Sequence, residues 1–286
     1  MGSQPYAPET WCTWLVPLIF LVCIFMFGYT MYVNDCPEAT GPENCILYHP
    51  LGRFSFQPLT ENHLFGPSIH TLKLMGGLDR KLVVDDGDSL RLFSCIWLHA
   101  GVVHLLVNML SLLLTGIRLE GEFGFLRIGP LYVLSGFGGS LLSCLCQETG
   151  KETISVGASG ALFGLLGAML SDLITNWTIY TRKCVAFALL GIVIALNLAA
   201  GFIPGVDNSA HMGGFISGFL LGFIFLLRPQ YGYVSSKYIA AGYDIKQRKP
   251  KYKFYQKLLW VAALVTFVIG SLSGLTKLYS VKTIEG

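Results

Sequence analysis

Ser155-Val156-Gly157-Ala158-Ser159-Gly160-Ala161-Leu162-Phe163-Gly164 is the stretch that decides how the rest of this chain is read. A serine stands among small residues at the opening of an apolar run that carries no charge until Asp172. The pattern is only loosely that of the strand–turn–helix elbow of soluble hydrolases, because no strand precedes it. It therefore reads as a serine at the mouth of a membrane helix. On its own the stretch reads first as a packing seam, since Gly, Ala and Ser are what apposed membrane helices use to approach closely.

The flanking sequence supports the membrane reading. Of 286 residues, 53% are hydrophobic and 13% charged, about half the charged share of soluble domains (~25%). The net charge of +3 is small, so its distribution carries the information. No aromatic and basic platform suggests nucleic acid. The first ten residues hold no Lys or Arg, and the apolar run after them is too long for a cleavable leader.

A span needs about 20 mostly apolar residues. Seven candidates follow: Trp11 to Val33, Leu92 to Ile117, Ile128 to Gln147, Ile154 to Leu173, Cys184 to Ile203 before Pro204, Ser209 to Leu227, and Leu258 to Thr276. The expected fold is an all-α integral membrane protein, a polytopic bundle of six core helices plus a seventh C-terminal one. The expected parts are an N-terminus and first span (1–33), a long loop (34–91), a core of spans two to six (92–227), a basic loop (228–257), and a seventh span with a short tail (258–286). The long loop is expected to hold short amphipathic helices at the interface. It also holds Cys36 and Cys45, for which a disulfide and two free thiols stand as equal readings.

Lys and Arg set the orientation. Arg118 and Arg127, Arg182 and Lys183, and the run from Arg228 through Lys257 fall in alternate loops, which assigns those loops and the N-terminus to the cytoplasm. Spans two, four and six then run from the far side inward. Ser159 opens span four and His211 opens span six. His104 and Asn108, expected near the middle of span two, are four apart and share a helical face. Ionisable side chains at membrane depth are costly and usually face a wet cavity. Gly214, Gly218 and Gly222 repeat every four residues on the face of His211, and Gly160 and Gly164 offer a matching face on span four.

A neutral imidazole can take the proton of a serine hydroxyl and so activate it, and amide hydrolysis also needs donors for the oxyanion. Ser159, His211, His104, Asn108 and the Ser159 N–H are that set. The bland alternatives are cross-helix hydrogen bonds for His104 and Asn108, an interfacial role for His99, and a proton relay in a transporter for His211. A metalloprotease would need His-Glu-x-x-His, and an aspartyl intramembrane protease would need two membrane aspartates. Asp172 and Asp207 stand at helix ends.

The chain closely resembles the rhomboid family of intramembrane serine proteases in its eukaryotic six-plus-one form. Three blocks carry this: Gly157-Ala158-Ser159-Gly160; Ala210-His211-Met212-Gly213-Gly214 with Gly218; and His99-Ala100-Gly101-Val102-Val103-His104-Leu105-Leu106-Val107-Asn108. Phe65-Gly66-Pro67-Ser68 and the segment from Ser171 to Tyr180 look like plant rhomboid-like proteins in particular. The resemblance implies that Ser159 is the nucleophile and His211 the base, with His104, Asn108 and Gly157 at the oxyanion site. It also implies that Phe163 packs on the histidine, and that His99, Arg91 and Glu120 support the site and its loops. No metal or cofactor is implied. The partners implied are single-pass membrane substrates reaching the site between spans two and five, in a Golgi, other secretory-pathway or plasma membrane. One departure stands out: the family's Trp-Arg reads Leu90-Arg91 here. A catalytically silent relative that binds or escorts membrane helices is the alternative function.

Overall fold

The computed structural model describes residues 11–147, 153–177, 182–200, 206–228 and 252–280. The chain is helical; among the described residues the extended pairings are two isolated bridges, Ile46 with Phe56 and Leu78 with Ser155. Helix α1 (Leu15–Asn34) is followed by five short helices, α2 (Cys36–Thr40), α3 (Tyr48–Leu51), α4 (Ile69–Leu74), α5 (Arg80–Val84) and α6 (Arg91–Ser94). Then come α7 (Val102–Phe123), α8 (Phe125–Cys146), α9 (Ser159–Thr175), α10 (Lys183–Ala200), α11 (Asn208–Phe225) and α12 (Phe254–Ser280). By length and composition α1, α7, α8, α11 and α12 can cross a membrane, and α9 and α10 supply shorter apolar helices. Pro204 and most of the basic loop lie outside the described residues.

Helix α9 is the centre of the bundle. It has 17 residues, about 26 Å at 1.5 Å per residue, and is buried on nearly every side by its neighbours. It packs chiefly on α11 and α8. The glycines make this possible. A Cβ at Gly214 would strike the Gly160 carbonyl, and one at Gly218 would strike the backbone of Gly164. A Cβ at Gly222 would lie 2.8 Å from the Ala168 Cα. Small residues let two backbones touch, and dispersion over the whole seam replaces the hydrophobic drive that lipid removes. On the α8 side a Cβ at Gly139 would lie 2.7 Å from the Ala210 carbonyl, a contact the sequence reading did not include.

The second span differs from expectation. Residues 91–97 form α6 and a 3-10 turn, and the helix proper starts only at Val102. The break has a steric cause. Gly101 lies against the Leu64 backbone, and the N–H groups of Val102 and Val103 are taken by the carbonyls of Phe65 and Leu64 at 2.9 and 3.3 Å. His99 therefore precedes the helix, and His104 sits in its first turn rather than mid-helix.

The opposite end is fastened by polar groups. Glu120, fully buried, accepts the N–H groups of Trp14 and Leu15 on Oε1 at 3.0 and 2.8 Å and of Val16 on Oε2 at 2.8 Å. One carboxylate thus satisfies three of the donors that the start of α1 leaves without intrahelical partners, and its charge suits the positive end of the helix dipole. Glu120→Ala strands all three, and Glu120→Gln keeps the shape without the charge. We expect Glu120→Gln to cost about 2 kcal/mol, the worth of hydrogen bonds to a charged group, read as a lower melting temperature in detergent; an unchanged temperature would contradict this role. Nearby, Arg228 pairs with Glu122 at 2.6 Å, and Asn176 donates to Asp172 at 2.6 Å and to the Leu226 carbonyl at 3.1 Å. Gln256 at the start of α12 donates to the Arg228 carbonyl at 3.0 Å. Helix α12 is thereby pinned to the core.

Candidate active site

The three polar-bearing helices all begin at one end of the bundle. Ser159 is the first residue of α9, His211 is in the first turn of α11, and His104 and Asn108 are in the first two turns of α7. The contact between α9 and α11 brings Ser159 Oγ within 2.9 Å of His211 Nε2. The His211 ring is buried and stacks on Phe163, one turn down α9, with centroids 4.3 Å apart and planes 17° apart.

His104 faces the same space. Its Nδ1 accepts the Ala100 N–H at 3.4 Å, which leaves Nε2 as the protonated, donating nitrogen. The ring lies against Gly157, where a Cβ would come within 2.6 Å of Cε1. Gly157 also has φ +129°, a conformation in which only glycine is unstrained. Any side chain there would displace the imidazole. Asn108, buried, donates one amide hydrogen to the His104 carbonyl at 2.9 Å, leaving its other hydrogen outside that bond.

Gly157 differs from expectation in one respect. Its N–H is taken by the Cys95 carbonyl at 2.9 Å, so it cannot also serve an oxyanion. The first bond of α9 joins the Leu162 N–H to the Ala158 carbonyl at 3.0 Å. The Ser159 N–H therefore has no partner within its own helix, as at any helix start, and it is the backbone donor at this point. His99 is fully buried rather than interfacial, edge-on to His104 with centroids 5.5 Å apart.

The loop before α7 holds the segment leading to Ser159 in place. Leu78 and Ser155 exchange backbone hydrogen bonds at 2.9 and 3.0 Å. Arg91 sets this loop by donating from Nη1 to the carbonyls of Lys73 and Gly77 at 2.7 and 2.8 Å, and from Nε to Asp88 at 2.8 Å. Leu90, where the family carries Trp, is 74% exposed and takes no part in this. Asp79 pairs with Lys73 at 2.7 Å and caps α5 through the N–H of Lys81. Burial acts to raise its pKa, but the Lys73 ammonium and the Leu82 and Lys81 N–H groups outweigh that and hold the carboxyl below its ordinary value. Cys36 and Cys45 are joined in a disulfide that ties the start of this loop. Leu78, Ala100 and Cys95 were not singled out from the sequence, because backbone pairing across a loop leaves no side-chain pattern.

Apolar helices packed around a central serine-bearing helix define a polytopic membrane protein. The chain belongs to the rhomboid family: a Rhomboid domain model matches residues 86–228. Over 282 residues it is 57% identical to RHOMBOID-like protein 5 of Arabidopsis thaliana, covering 99% of this chain and 90% of that protein. It is 56% identical over 270 residues to RHOMBOID-like protein 1 of the same plant, covering 94% and 68%. Inactive RHOMBOID-like protein 8 of that plant is 42% identical over 218 residues, covering 76% and 61%.

Proposed function

We propose that this chain is an active intramembrane serine endopeptidase that cleaves single-pass membrane proteins within or beside their transmembrane helix. The observation that carries this is the 2.9 Å contact between Ser159 Oγ and His211 Nε2. In this reading His211 takes the Ser159 proton as Oγ attacks the scissile carbonyl, and later returns it to the leaving amine. The oxyanion is met by the Ser159 N–H, His104 Nε2–H and the second Asn108 amide hydrogen. Phe163 holds the imidazole flat and favours its cationic form through the ring face. The substrate must unwind locally, because a helical carbonyl is already hydrogen-bonded, so residues of low helix propensity should mark cleavable segments.

The site opens on the non-cytoplasmic side. Arg118, Arg228 and the basic start of α12 lie at the other end of their helices from Ser159 and His211, and the Cys36–Cys45 disulfide belongs to an oxidising compartment. That favours a cytoplasmic N-terminus and a Golgi, other secretory or plasma membrane. A catalytically silent escort is the competing reading, because a relative carries the word inactive in its name. The formed serine–histidine contact weighs against it. The test is covalent labelling of the full chain by a fluorophosphonate. We expect labelling that maps to Ser159 and is absent in Ser159→Ala; a folded wild type that resists the probe would favour the silent reading.

A further inference from the structure

Asp207 stands outside the Ser159–His211 pair, yet it is built into the turn that carries the base. Its Oδ1 accepts the Ala210 N–H at 2.9 Å, and its backbone carbonyl accepts the His211 N–H at 3.2 Å. The carboxylate is thus the N-terminal cap of α11, and His211 follows it by one turn. Its other oxygen, Oδ2, accepts the hydroxyl of Ser143 near the end of α8. Gln147 donates to that hydroxyl at 3.3 Å. Arg80 in α5 holds Gln147 in turn, donating its N–H to Oε1 at 3.1 Å and its guanidinium to the carbonyl at 2.8 Å. A continuous relay therefore runs from the loop before α7 to the first turn of α11.

Two further facts bear on the base. His211 Nδ1 is buried and has no hydrogen-bond partner among the described residues. Asp207, the N-terminal cap of α11, is the acidic side chain one turn before His211 on the same helix. Among the described residues, the ring touches Ser159 and Phe163 from α9, neither of them charged. From α7, His104 is held as a neutral donor by the Ala100 N–H.

We propose that Asp207 is a positioning residue for His211: it fixes the first turn of α11 in register with Ser159 and supplies the negative charge that stabilises the imidazolium formed during attack. The inference rests on the protease reading above. In the step concerned, the Oγ–carbon bond forms, the carbonyl π bond breaks onto its oxygen, and the serine proton moves to His211 Nε2. Asp207 takes no part in the proton transfer itself. The Arg80–Gln147–Ser143 relay holds it where that charge is useful.

The experiment compares wild type, Asp207→Asn, Asp207→Ala and Ser159→Ala as full chains in liposomes. It reads kcat and KM on a fluorescent single-pass substrate, the rate of fluorophosphonate labelling, and melting temperature. Asparagine can still accept the Ala210 N–H, so Asp207→Asn should melt like wild type with unchanged KM. Its kcat and labelling rate should fall about tenfold, the loss expected when a nearby charge no longer favours the cationic form of the base in the transition state. Asp207→Ala should lose kcat and melting temperature together. If Asp207→Asn keeps the wild-type kcat while Asp207→Ala melts early, Asp207 is a cap only and the inference is overturned. Should Asp207→Asn not fold, Asp207→Ser decides: serine can cap the Ala210 N–H without a charge, and a wild-type kcat in that folded variant would overturn the proposal. A wild type that neither cleaves nor labels removes the protease reading and this inference with it. A cleaving, labelled wild type beside an unaffected Asp207→Asn removes the inference alone.

Discussion

His211→Ala is expected to reduce cleavage at least about 10³-fold while leaving the helical bundle intact, as loss of the general base does in serine hydrolases. Serine hydroxyls are weak nucleophiles, and the nitrogen 2.9 Å from Ser159 Oγ is His211 Nε2. His104, the other imidazole nearby, is turned the wrong way: its Nδ1 already accepts the Ala100 N–H, so its other nitrogen is the protonated one. It cannot substitute as base. Truncating His211 also uncovers one face of Phe163, which costs some packing. The melting temperature must therefore be read beside the rate. A large rate loss at near-native melting temperature is the expected result. Activity retained by His211→Ala would mean another group takes the proton.

Gly218→Leu should be the most damaging single change to the fold. The Gly218 Cα faces the backbone of Gly164, and even one added carbon would overlap it. A leucine would have to push α11 away from α9 along the seam formed by Gly214, Gly218 and Gly222. Overpacking of this kind costs about 3 kcal/mol, and here the overlap is with backbone, which cannot rotate aside. The same displacement would open the Ser159–His211 contact, because both residues sit on the two helices being separated. Melting temperature and cleavage should therefore fall together. Gly270→Leu on α12 is the control: nothing lies within 4 Å of a Cβ there, and it should behave as wild type. If Gly218→Leu melted and cleaved like that control, the seam would not be the element that sets the site.

Much of this arrangement was legible in residue order. The apolar runs mark the helices, the four-residue glycine spacing marks the α9–α11 seam, and the shared direction of three spans puts Ser159, His211, His104 and Asn108 at one end. The start of α7 was not legible. Residues from Leu92 onward are as apolar as the helix itself, and the break depends on Gly101 pressing on the distant Leu64 backbone. The use of Gly157 was half legible: its position beside the site follows from the motif, but the capture of its N–H by the Cys95 carbonyl is a tertiary event. The Glu120 cap joins residues more than 100 positions apart, and no local pattern records that. The pairing of Cys36 with Cys45 was open because the sequence does not say whether the compartment that loop faces is oxidising.

The account's central claim is that Ser159 is a nucleophile activated by His211. The most direct measurement is cleavage of a fluorescent single-pass substrate by the full chain in liposomes, wild type beside Ser159→Ala. The wild type should yield fragments cut within or next to the transmembrane helix, and the variant, equally folded, should yield none. Equal cleavage by the two proteins would contradict the account.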